Sequence, residues 1–390
     1  MNILVLGGCG VQGRAALYDL SRNPLVKRID CADVQPDLIQ NFHFLDCGRI
    51  NAIQIDATDH ATLLAVMRQD VDGVIDMLPA QFARSAALAA IEAGVSIVNT
   101  NYAYPLLDLH EQALDRGVAI LPECGLDPGI DLVFYHYGAN QFDEINTLNS
   151  YCGGIPEKTA CTNPLNYKIS WNWDMVLKTQ KRDSVMISNH QEIQIPAVHQ
   201  HDNSFVHEID FPGLGKLEAF PNGNAAHFLR ILGIAGTVEQ SGRYTLRWPG
   251  WCNFWATLKT LGFLDDTPVP GLPCDVSPHE FLVRMMEPRL QYEPQEKDLA
   301  VMQNVLIGKK NGRMKKLTGT VRIERDLTTG LMGMALGVSY PACIATEMIA
   351  TGQISEKGVL SPVTHIPPEP FFDQLNRRGI QIEIVSEDRF

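Results

Sequence analysis

The sequence predicts an α/β protein in two parts: a Rossmann-type parallel sheet domain, followed by an α+β mixed-sheet domain. Over the first third of the chain, short apolar runs alternate with helical patterns, and a glycine-rich turn directly follows the first run. After residue 125 the strand-like segments alternate apolar and polar residues instead. The first pattern is typical of parallel strands covered by helices, and the second of antiparallel strands with one solvated face.

Six strands are predicted in the N-terminal part, at 2–6, 28–34, 50–58, 72–79, 95–101 and 118–123. Helical patterns follow the glycine turn and begin again at His60, Phe82 and Leu106, and Gly94 and Gly117 end the last two. We therefore expect the first domain to span 1–125 and the mixed-sheet domain to span 126–330. Helices of the second domain are expected near 128–141, 225–232, 251–262 and 278–288.

The C-terminal segment 331–390 is expected to pack back on the first domain. Its stretch 331–350 is strongly apolar but contains Pro341 and Glu347. These residues favour a buried helix over a membrane span.

The charge and cysteine content narrow the classes of partner. The formal net charge is −13 and the pI about 5.3, so neither nucleic acid nor an anionic membrane is expected as a partner. Nine cysteines without a CxxC pair are typical of reduced thiols in a cytoplasmic protein. No secretory signal is predicted, because no basic leader precedes the first apolar run. An anionic small molecule remains a candidate partner if a local cationic pocket exists.

Gly8, Gly10 and Gly13 form the pattern GxGxxG between the first strand and the first helix. The first glycine permits a tight turn, the second lets the backbone approach a pyrophosphate, and the third lets helix and strand pack closely. The helix N-terminus, at Val11 and Gln12, then offers N–H groups to the phosphates. The motif predicts a dinucleotide cofactor.

Asp33 ends the second strand, twenty residues after Gly13. A carboxylate there accepts hydrogen bonds from both ribose hydroxyls and repels a 2′-phosphate. None of the next residues, Val34, Gln35 and Pro36, has a basic side chain that could bind a 2′-phosphate. NAD is therefore expected as the preferred cofactor, with NADP as the alternative.

Residues at later strand ends are expected to complete the cofactor site, because ligands of such sheets lie at the carboxyl ends of the strands. The alternative for each is an ordinary loop position. The candidates are Val34 after the second strand, Asp56 and Ala57 after the third, Leu78, Pro79 and Phe82 after the fourth, and Thr100 and Asn101 after the fifth.

The stretch LPECGLDPGIDL, 121–132, places many special residues at one strand-to-helix junction. Pro128 suits the first position of a helix, which predicts Asp127 as its N-cap. One interpretation is that Asp127 serves only as a helix cap. The other is that the junction crosses into the second domain and brings Asp127 against the nicotinamide pocket.

This junction resembles that of the saccharopine dehydrogenase family, in its glutamate-forming (saccharopine reductase) branch. SYCGGIP (150–156), NPLNYKISW (163–171), LEAFPNGN (217–224) and GRYTLRWPGWC (242–252) also resemble that branch. The resemblance covers nearly the whole chain in the same order. Lysine 6-dehydrogenase and carboxynorspermidine dehydrogenase, which share the junction, match the YCGG to SW section less well.

The resemblance implies a reversible NAD(P)-dependent oxidation of the CH–NH group of saccharopine, giving glutamate and 2-aminoadipate 6-semialdehyde. It implies a role in lysine metabolism and, by analogy, a homodimer formed through the sheet of the second domain. It also implies that the small-molecule amino-acid substrate contacts a defined set of residues. These are Asn101, Tyr102, Asp127, Cys152, Gly153, Ser170 and Thr245.

Chemistry adds roles for a few side chains. Asp127 is a candidate to hold the substrate amino group, and Lys168 is a candidate base. Lys168, Arg243 and Arg247 are candidates to bind the carboxylates of the substrate, with a solvated strand face as the alternative interpretation. No metal site is predicted, although His199, His201 and His207 lie close in sequence.

Three departures from the family pattern leave two alternative functions open. Gly223 stands where saccharopine reductases often carry a base, and Asn101 stands where they often carry Ser. The fungal enzymes are associated with NADP, whereas Asp33 favours NAD. The rivals are an amine dehydrogenase acting on lysine or a carboxylated polyamine, and a non-catalytic NAD-binding sensor.

Overall fold

The computed structural model describes residues 1–388 and confirms the predicted fold class. The chain forms two compact units. The first contains Met1–Tyr137 and Ala335–Gln381, and the second contains Gly138–Met334 and the strand Ile382–Asp388. The division after residue 137 falls later than the predicted 125.

The N-terminal part of the first unit alternates strands and helices as predicted. In chain order the elements are β1 (Asn2–Leu6), α1 (Val11–Arg22), β2 (Arg28–Asp33), β3 (Ile50–Gln54), α2 (His60–Met67), β4 (Gly73–Asp76), α3 (Ala83–Ala93), β5 (Ile97–Asn99), α4 (His110–Asp115), β6 (Ala119–Leu121) and α5 (Ile130–Ala139). Gly94 ends α3 with a φ of 75°, a left-handed conformation that glycine adopts without steric cost.

The second unit contains two strands of thirteen residues each, Glu144–Pro156 and Asp298–Lys310. In chain order its elements are β7 (Glu144–Pro156), α6 (Trp173–Thr179), β8 (Ser184–Ser188), β9 (Gln191–Ile195), β10 (His207–Phe211), β11 (Gly215–Pro221), α7 (Ala225–Ile231), β12 (Gln240–Arg247), α8 (Trp251–Thr260), α9 (Pro278–Met286), β13 (Asp298–Lys310) and β14 (Arg313–Glu324).

The C-terminal segment divides between the two sheets. Its elements are α10 (Gly333–Ala350), β15 (Gly358–Val359), α11 (Pro362–His365), α12 (Pro368–Arg377) and β16 (Ile382–Asp388). β15 pairs with β6 in the first sheet, but β16 pairs with β14 in the second. The expectation that all of 331–390 packs on the first domain is therefore wrong for β16, whose backbone hydrogen bonds are made with β14.

Helix α10 is the apolar stretch singled out in the sequence. It is the one helix within residues 1–388 whose length and composition would suit a membrane span, and 89% of that window is buried in the protein. This burial agrees with the expected core helix.

The first sheet has seven strands in the order β15-β6-β5-β4-β1-β2-β3, all parallel. Its central strands are buried on both faces, and Leu4, Val5, Leu6 and Val74 have no exposed surface. The strand order reverses between β1 and β4. Dinucleotides bind outside the carboxyl ends of the strands at such a point.

The second sheet has nine strands and is mixed. Its main path runs β10-β11-β12-β7-β13-β14-β16, with β8 and β9 branching from β12. The neighbours β12 and β7 are parallel, whereas β7 and β13 are antiparallel. The predicted alternation is clear in β10, whose residues are alternately more and less exposed.

The junction 121–132 differs from the prediction. Helix α5 begins at Ile130, so Pro128 is not its first residue and Asp127 is not its N-cap. Instead, a turn with a cis Asp127–Pro128 peptide precedes the helix. In this turn the Gly125 N–H donates to the Pro128 carbonyl, and the Ile130 N–H donates to the Gly125 carbonyl, each at 2.9 Å. The whole stretch lies within the first compact unit, which continues to Tyr137.

Candidate active site

The glycine-rich turn has the close backbone contacts that the GxGxxG motif requires. A Cβ on Gly13 would lie 2.2 Å from the Gly7 carbonyl oxygen and 2.6 Å from the Gly8 Cα. A Cβ on Gly8 would lie 2.5 Å from the Cys31 Sγ. Helix α1 begins directly after Gly10, has no acidic residue in its first turn, and receives no side-chain cap. The turn and the helix N-terminus therefore suit a pyrophosphate.

Asp33 is half-buried at the carboxyl end of β2. Its Oδ2 accepts a hydrogen bond from the Cys9 N–H at 2.9 Å, and its Oδ1 accepts from the Gln35 N–H at 3.0 Å. These bonds fix the carboxylate beside the glycine turn. The remaining lone pairs of a carboxylate suffice to accept from a ribose diol.

The structure brings the other predicted cofactor residues to the same carboxyl edge of the first sheet. Two of the loops are shaped in the same way: the Asp56 Oδ1 accepts from the Thr58 N–H at 2.9 Å, and the Asn99 Oδ1 accepts from the Asn101 N–H at 2.9 Å. Asp76 holds the Leu78 N–H at 3.0 Å. The residues concerned are Val11, Gln12, Val34, Asp56, Ala57, Leu78, Pro79, Phe82, Thr100 and Asn101.

Three residues at this edge were missed by the sequence analysis. Arg14 lies in the first turn of α1, with its guanidinium carbon 5.4 Å from the ring centroid of Phe42 and its Nε buried without a hydrogen-bond partner. Asp76 and Asn99 are fully buried. The signal for all three was their position at a strand end or helix start next to the glycine motif.

The residues assigned to the substrate by resemblance lie partly in the first unit. Tyr102 stacks on Tyr104 with ring centroids 6.0 Å apart. The Asn101 carbonyl accepts from the Glu123 N–H at 2.9 Å, which links this loop to the start of the junction. Asp127 is half-buried in the turn before α5.

The other substrate candidates of β12 share one face of the second sheet. Arg243, Thr245 and Arg247 alternate along β12, and alternate residues of a strand face the same side. Thr245 is in register with Cys152 of the parallel strand β7. The structure thus groups four of the predicted residues on one face.

Arg247 is a buried cation without a carboxylate partner among residues 1–388. Only 5% of its surface is exposed. Its guanidinium lies 5.2 Å from the ring centroid of Tyr167 and 5.0 Å from that of Trp251, and its single hydrogen bond is to the Leu246 carbonyl at 2.8 Å. Burial lowers the pKa of the guanidinium from its ordinary value. A buried charge of this kind is costly unless an anion compensates it.

Several hydroxyl groups of the second unit are also buried without a hydrogen-bond partner among the described residues. Those of Tyr167, Ser170 and Tyr292 are among them. Tyr167 contacts the Arg247 guanidinium directly, and burial raises the pKa of both tyrosines. Tyr167 and Tyr292 were missed in the sequence. A buried guanidinium without a carboxylate partner and unpaired hydroxyl groups in the same unit are suited to bind a carboxylate.

Lys168 is arranged differently. Its Nζ donates to both carboxylate oxygens of Glu296, at 2.7 and 2.6 Å, and only 6% of its side chain is exposed. Burial raises the pKa of the Glu296 carboxyl, but the hydrogen bonds from Lys168 and the Glu293 N–H outweigh it, so the pKa is lowered overall. Two of the three Lys168 N–H groups are thus committed to a partner that the sequence analysis did not identify.

We expect Lys168→Met to lower the free energy of unfolding by about 3 kcal/mol, because it leaves the largely buried Glu296 carboxylate unpaired. The double variant Lys168→Met/Glu296→Gln should regain most of that loss. Urea unfolding of the two variants measures the difference. A double variant as unstable as the single one would contradict a structural ion pair.

The remaining predictions concern glycines and histidines. A Cβ on Gly153 would lie 2.3 Å from the Leu246 carbonyl, so this residue permits the close contact of β7 with β12. Gly223 has a φ of 73° in the turn before α7. The histidines do not converge: His199 lies 2.8 Å from Asp202, His201 packs on Phe220, and His207 on Tyr244. No metal-binding group of three His, Cys, Asp or Glu occurs within residues 1–388.

Two family models match the chain. Residues 3–121 match the model described as saccharopine dehydrogenase NADP binding domain. Residues 125–380 match the model described as saccharopine dehydrogenase C-terminal domain. Together the matches cover both units.

Proteins of known name are similar over long stretches. A saccharopine dehydrogenase (NADP(+), L-glutamate-forming) of Schizosaccharomyces pombe is 26% identical, with 86% of this chain and 89% of that protein covered. A mitochondrial alpha-aminoadipic semialdehyde synthase of Mus musculus is 25% identical over 99% of this chain. The alignment covers 48% of the mouse protein, so the chain spans about half its length.

A solved structure shares the fold. It is the saccharopine dehydrogenase (L-Glu forming) of Saccharomyces cerevisiae, with a TM-score of 0.86 at 23% identity and 99% of each chain covered. The similarity confirms the architecture of a parallel-sheet unit followed by a mixed-sheet unit.

Proposed function

The chain belongs to the saccharopine dehydrogenase family, and on that premise we propose that it is an oxidoreductase acting on the CH–NH group of saccharopine. The products are glutamate and 2-aminoadipate 6-semialdehyde, and the reaction is reversible. The nicotinamide cofactor, when bound, accepts or supplies the hydride. The match to the fungal saccharopine dehydrogenase, which covers 86% of this chain and 89% of that protein, supports the proposal.

The observation that carries the substrate class is Arg247. A guanidinium with 5% exposure and no carboxylate within the described chain calls for an anionic ligand. Saccharopine carries three carboxylates and so meets this need. Arg243, which is 2% exposed on the same strand face, is the second candidate cation.

The protein's own side chains are assigned the following roles. Thr245, Ser170 and Arg247, all of the second unit, hold carboxylate oxygens of the substrate. Since Lys168 is paired with Glu296, we assign it to charge balance in the second unit instead of proton abstraction.

The reaction is tested with purified protein, saccharopine and either NAD or NADP, by the absorbance of the reduced cofactor. Turnover with saccharopine supports the proposal. Lysine and carboxynorspermidine are the matched alternatives, since Gly223 removes a base that saccharopine reductases often carry. Turnover with one of these and none with saccharopine would reassign the chain to an amine dehydrogenase. Tight cofactor binding without turnover of any of these substrates would favour a non-catalytic NAD-binding sensor.

Cofactor preference depends on two side chains. The matched family model and the fungal relative are named for NADP, and they lend no support to a preference for NAD. Asp33 favours NAD, because its carboxylate repels a 2′-phosphate. Arg14, whose charge lies near Cys9 as that of Asp33 does, is the cation available to a 2′-phosphate.

We propose that repulsion of a 2′-phosphate by Asp33 outweighs its attraction by Arg14, so that NAD is preferred over NADP. The variant Asp33→Ala/Val34→Arg should then move the ratio of kcat/KM for NADP over NAD upward by about 10²-fold, since it exchanges a repelling carboxylate for a pairing base. Arg14→Gln is the matched control and should weaken only NADP. A wild-type preference for NADP that is lost in Arg14→Gln would overturn the assignment.

We also propose a cytoplasmic homodimer with no nucleic-acid or membrane partner and a role in lysine metabolism. The net charge of −13 supports the exclusion of nucleic acid as a partner. Size-exclusion chromatography with light scattering tests the oligomeric state.

A further inference from the structure

Asp76 occupies a special place in the first sheet. It is the last residue of β4 and is in register with Leu6, the last residue of β1, and with Asn99, the last residue of β5. The strand order of the sheet reverses between β1 and β4. Asp76 therefore lies at the end of the sheet where a dinucleotide binds.

The carboxyl group of Asp76 is only half satisfied. It has no exposed surface, and its Oδ1 accepts from the Leu78 N–H at 3.0 Å. Its Oδ2 is buried without a hydrogen-bond partner in the described chain. The Nδ2 of the neighbouring Asn99 is likewise buried and unpartnered. Buried polar atoms of native proteins are nearly always paired, so this acceptor and this donor require an explanation.

The turn that Asp76 holds touches the glycine-rich loop. A Cβ on Gly7 would lie 3.0 Å from the Met77 carbonyl oxygen and 3.3 Å from the Leu78 nitrogen. The Met77 N–H donates to the Leu6 carbonyl at 3.0 Å. The segment after Asp76 is therefore packed against the loop predicted to hold the pyrophosphate.

No nearby charge compensates an ionised Asp76. Burial raises its pKa to about 7, and the Leu78 N–H is the one group that opposes this shift. β1 and β5 carry no titratable side chain. The titratable groups on the other elements around β4 do not contribute to the shift; they are Cys9 of the glycine loop, Arg84 and Glu92 of α3, Glu123 after β6, and Tyr340, Cys343 and Glu347 of α10.

We propose that the buried carboxyl group of Asp76, in register with Asn99, is a proton-linked site at the carboxyl end of the first sheet, where the cofactor is expected to bind. In the protein without cofactor, Asp76 is protonated in part of the molecules near neutral pH. It releases this proton to solvent when an oxidised nicotinamide cofactor binds. The oxidised ring carries a positive charge, which an ionised carboxylate stabilises. The reduced ring is neutral and leaves the proton in place. This inference depends on the nicotinamide cofactor of the proposed function.

The direction in which the cofactor Kd changes with pH follows from the linkage between cofactor binding and protonation of Asp76. Oxidised cofactor binds best to ionised Asp76, so its Kd should fall as the pH rises through about 7 and level off above it. Reduced cofactor has no such preference, and its Kd should stay flat or rise over the same range. Asp76 thus sets the relative affinity for the two redox forms.

The test is isothermal titration calorimetry of the full chain with NAD, NADP and their reduced forms. Titrations at pH 7 in buffers of different ionisation enthalpy measure the protons released. We expect about half a proton per site on binding the oxidised form, because a group with a pKa near 7 is half protonated there. Between pH 6 and 8 the Kd of the oxidised form should fall by up to about tenfold.

Asp76→Asn keeps the acceptor for the Leu78 N–H but cannot ionise. It should bind the oxidised form without proton release and with a flat pH profile. Asp46→Asn is the matched control, because Asp46 holds the Gly48 N–H at 3.1 Å in the same kind of turn, exposed and outside the site. It should behave as the wild type.

Three results would overturn the proposal. One is binding of oxidised cofactor without proton release by the wild type. Another is proton release that persists in Asp76→Asn. If that variant does not fold, identical pH profiles of the Kd for the oxidised and reduced cofactor in the wild type decide against the proposal. Failure of every nicotinamide nucleotide to bind would overturn the cofactor itself, so the two failures are distinguishable.

Discussion

Arg247→Gln is expected to lower kcat/KM for the amino-acid substrate by about 10²- to 10³-fold, the usual effect of removing one partner of a buried, hydrogen-bonded charge pair. The free energy of unfolding should not fall. The wild-type guanidinium is buried without a carboxylate within the described chain, so its removal relieves an uncompensated charge. Steady-state kinetics and urea unfolding on the same preparations measure both effects.

The opposite directions of these two effects make the prediction specific. If Arg247 served only to fill space between Tyr167 and Trp251, its removal would lower stability and leave kcat/KM unchanged. Arg313→Gln is the matched control, because Arg313 is an exposed arginine of β14 in the same unit. It should change neither quantity.

Gly13→Ala is expected to abolish cofactor binding and to lower the free energy of unfolding by several kcal/mol. An alanine inside a helix usually stabilises it by about 1 kcal/mol relative to glycine. Here the sign reverses, because the new Cβ would lie 2.2 Å from the Gly7 carbonyl oxygen and 2.6 Å from the Gly8 Cα. Both neighbours are backbone atoms of the turn itself, and neither can move without opening the turn.

Cofactor titration by calorimetry and thermal unfolding measure the two effects of Gly13→Ala. Gly236→Ala is the matched control, because a Cβ there meets no atom within 4 Å and the residue has no positive φ. It should be neutral or slightly stabilising. A Gly13→Ala protein that still binds cofactor tightly would show that the turn is not the pyrophosphate site.

Much of the first unit was predictable because its local patterns agree with its tertiary environment. Buried parallel strands are continuously apolar, and the glycines at 94 and 117 adopt the positive φ expected at a helix end. The long strands β7 and β13 were harder to predict. Most residues at one end of each are buried on both faces, so no two-residue alternation marks them as strands.

The junction 121–132 shows the limit of local rules. Proline at the first helix position and aspartate at the N-cap are sound expectations from propensity. The hydrogen bonds between Gly125 and Pro128, and between Ile130 and Gly125, instead close a separate turn before the helix. Helix α5 therefore begins at Ile130, after this turn, and not at Pro128.

By itself, the sequence determined the fold class, the glycine turn, the strand ends that carry the predicted cofactor residues, and the family. These depend on short-range spacing, which is preserved when the chain folds. Only the tertiary structure decided which buried charges are paired. Lys168 meets Glu296 across 128 residues of chain, whereas Arg247 meets two aromatic rings and no carboxylate in the described residues. Charge compensation depends on contacts between distant segments, and so it separated two cations that the sequence had left equivalent.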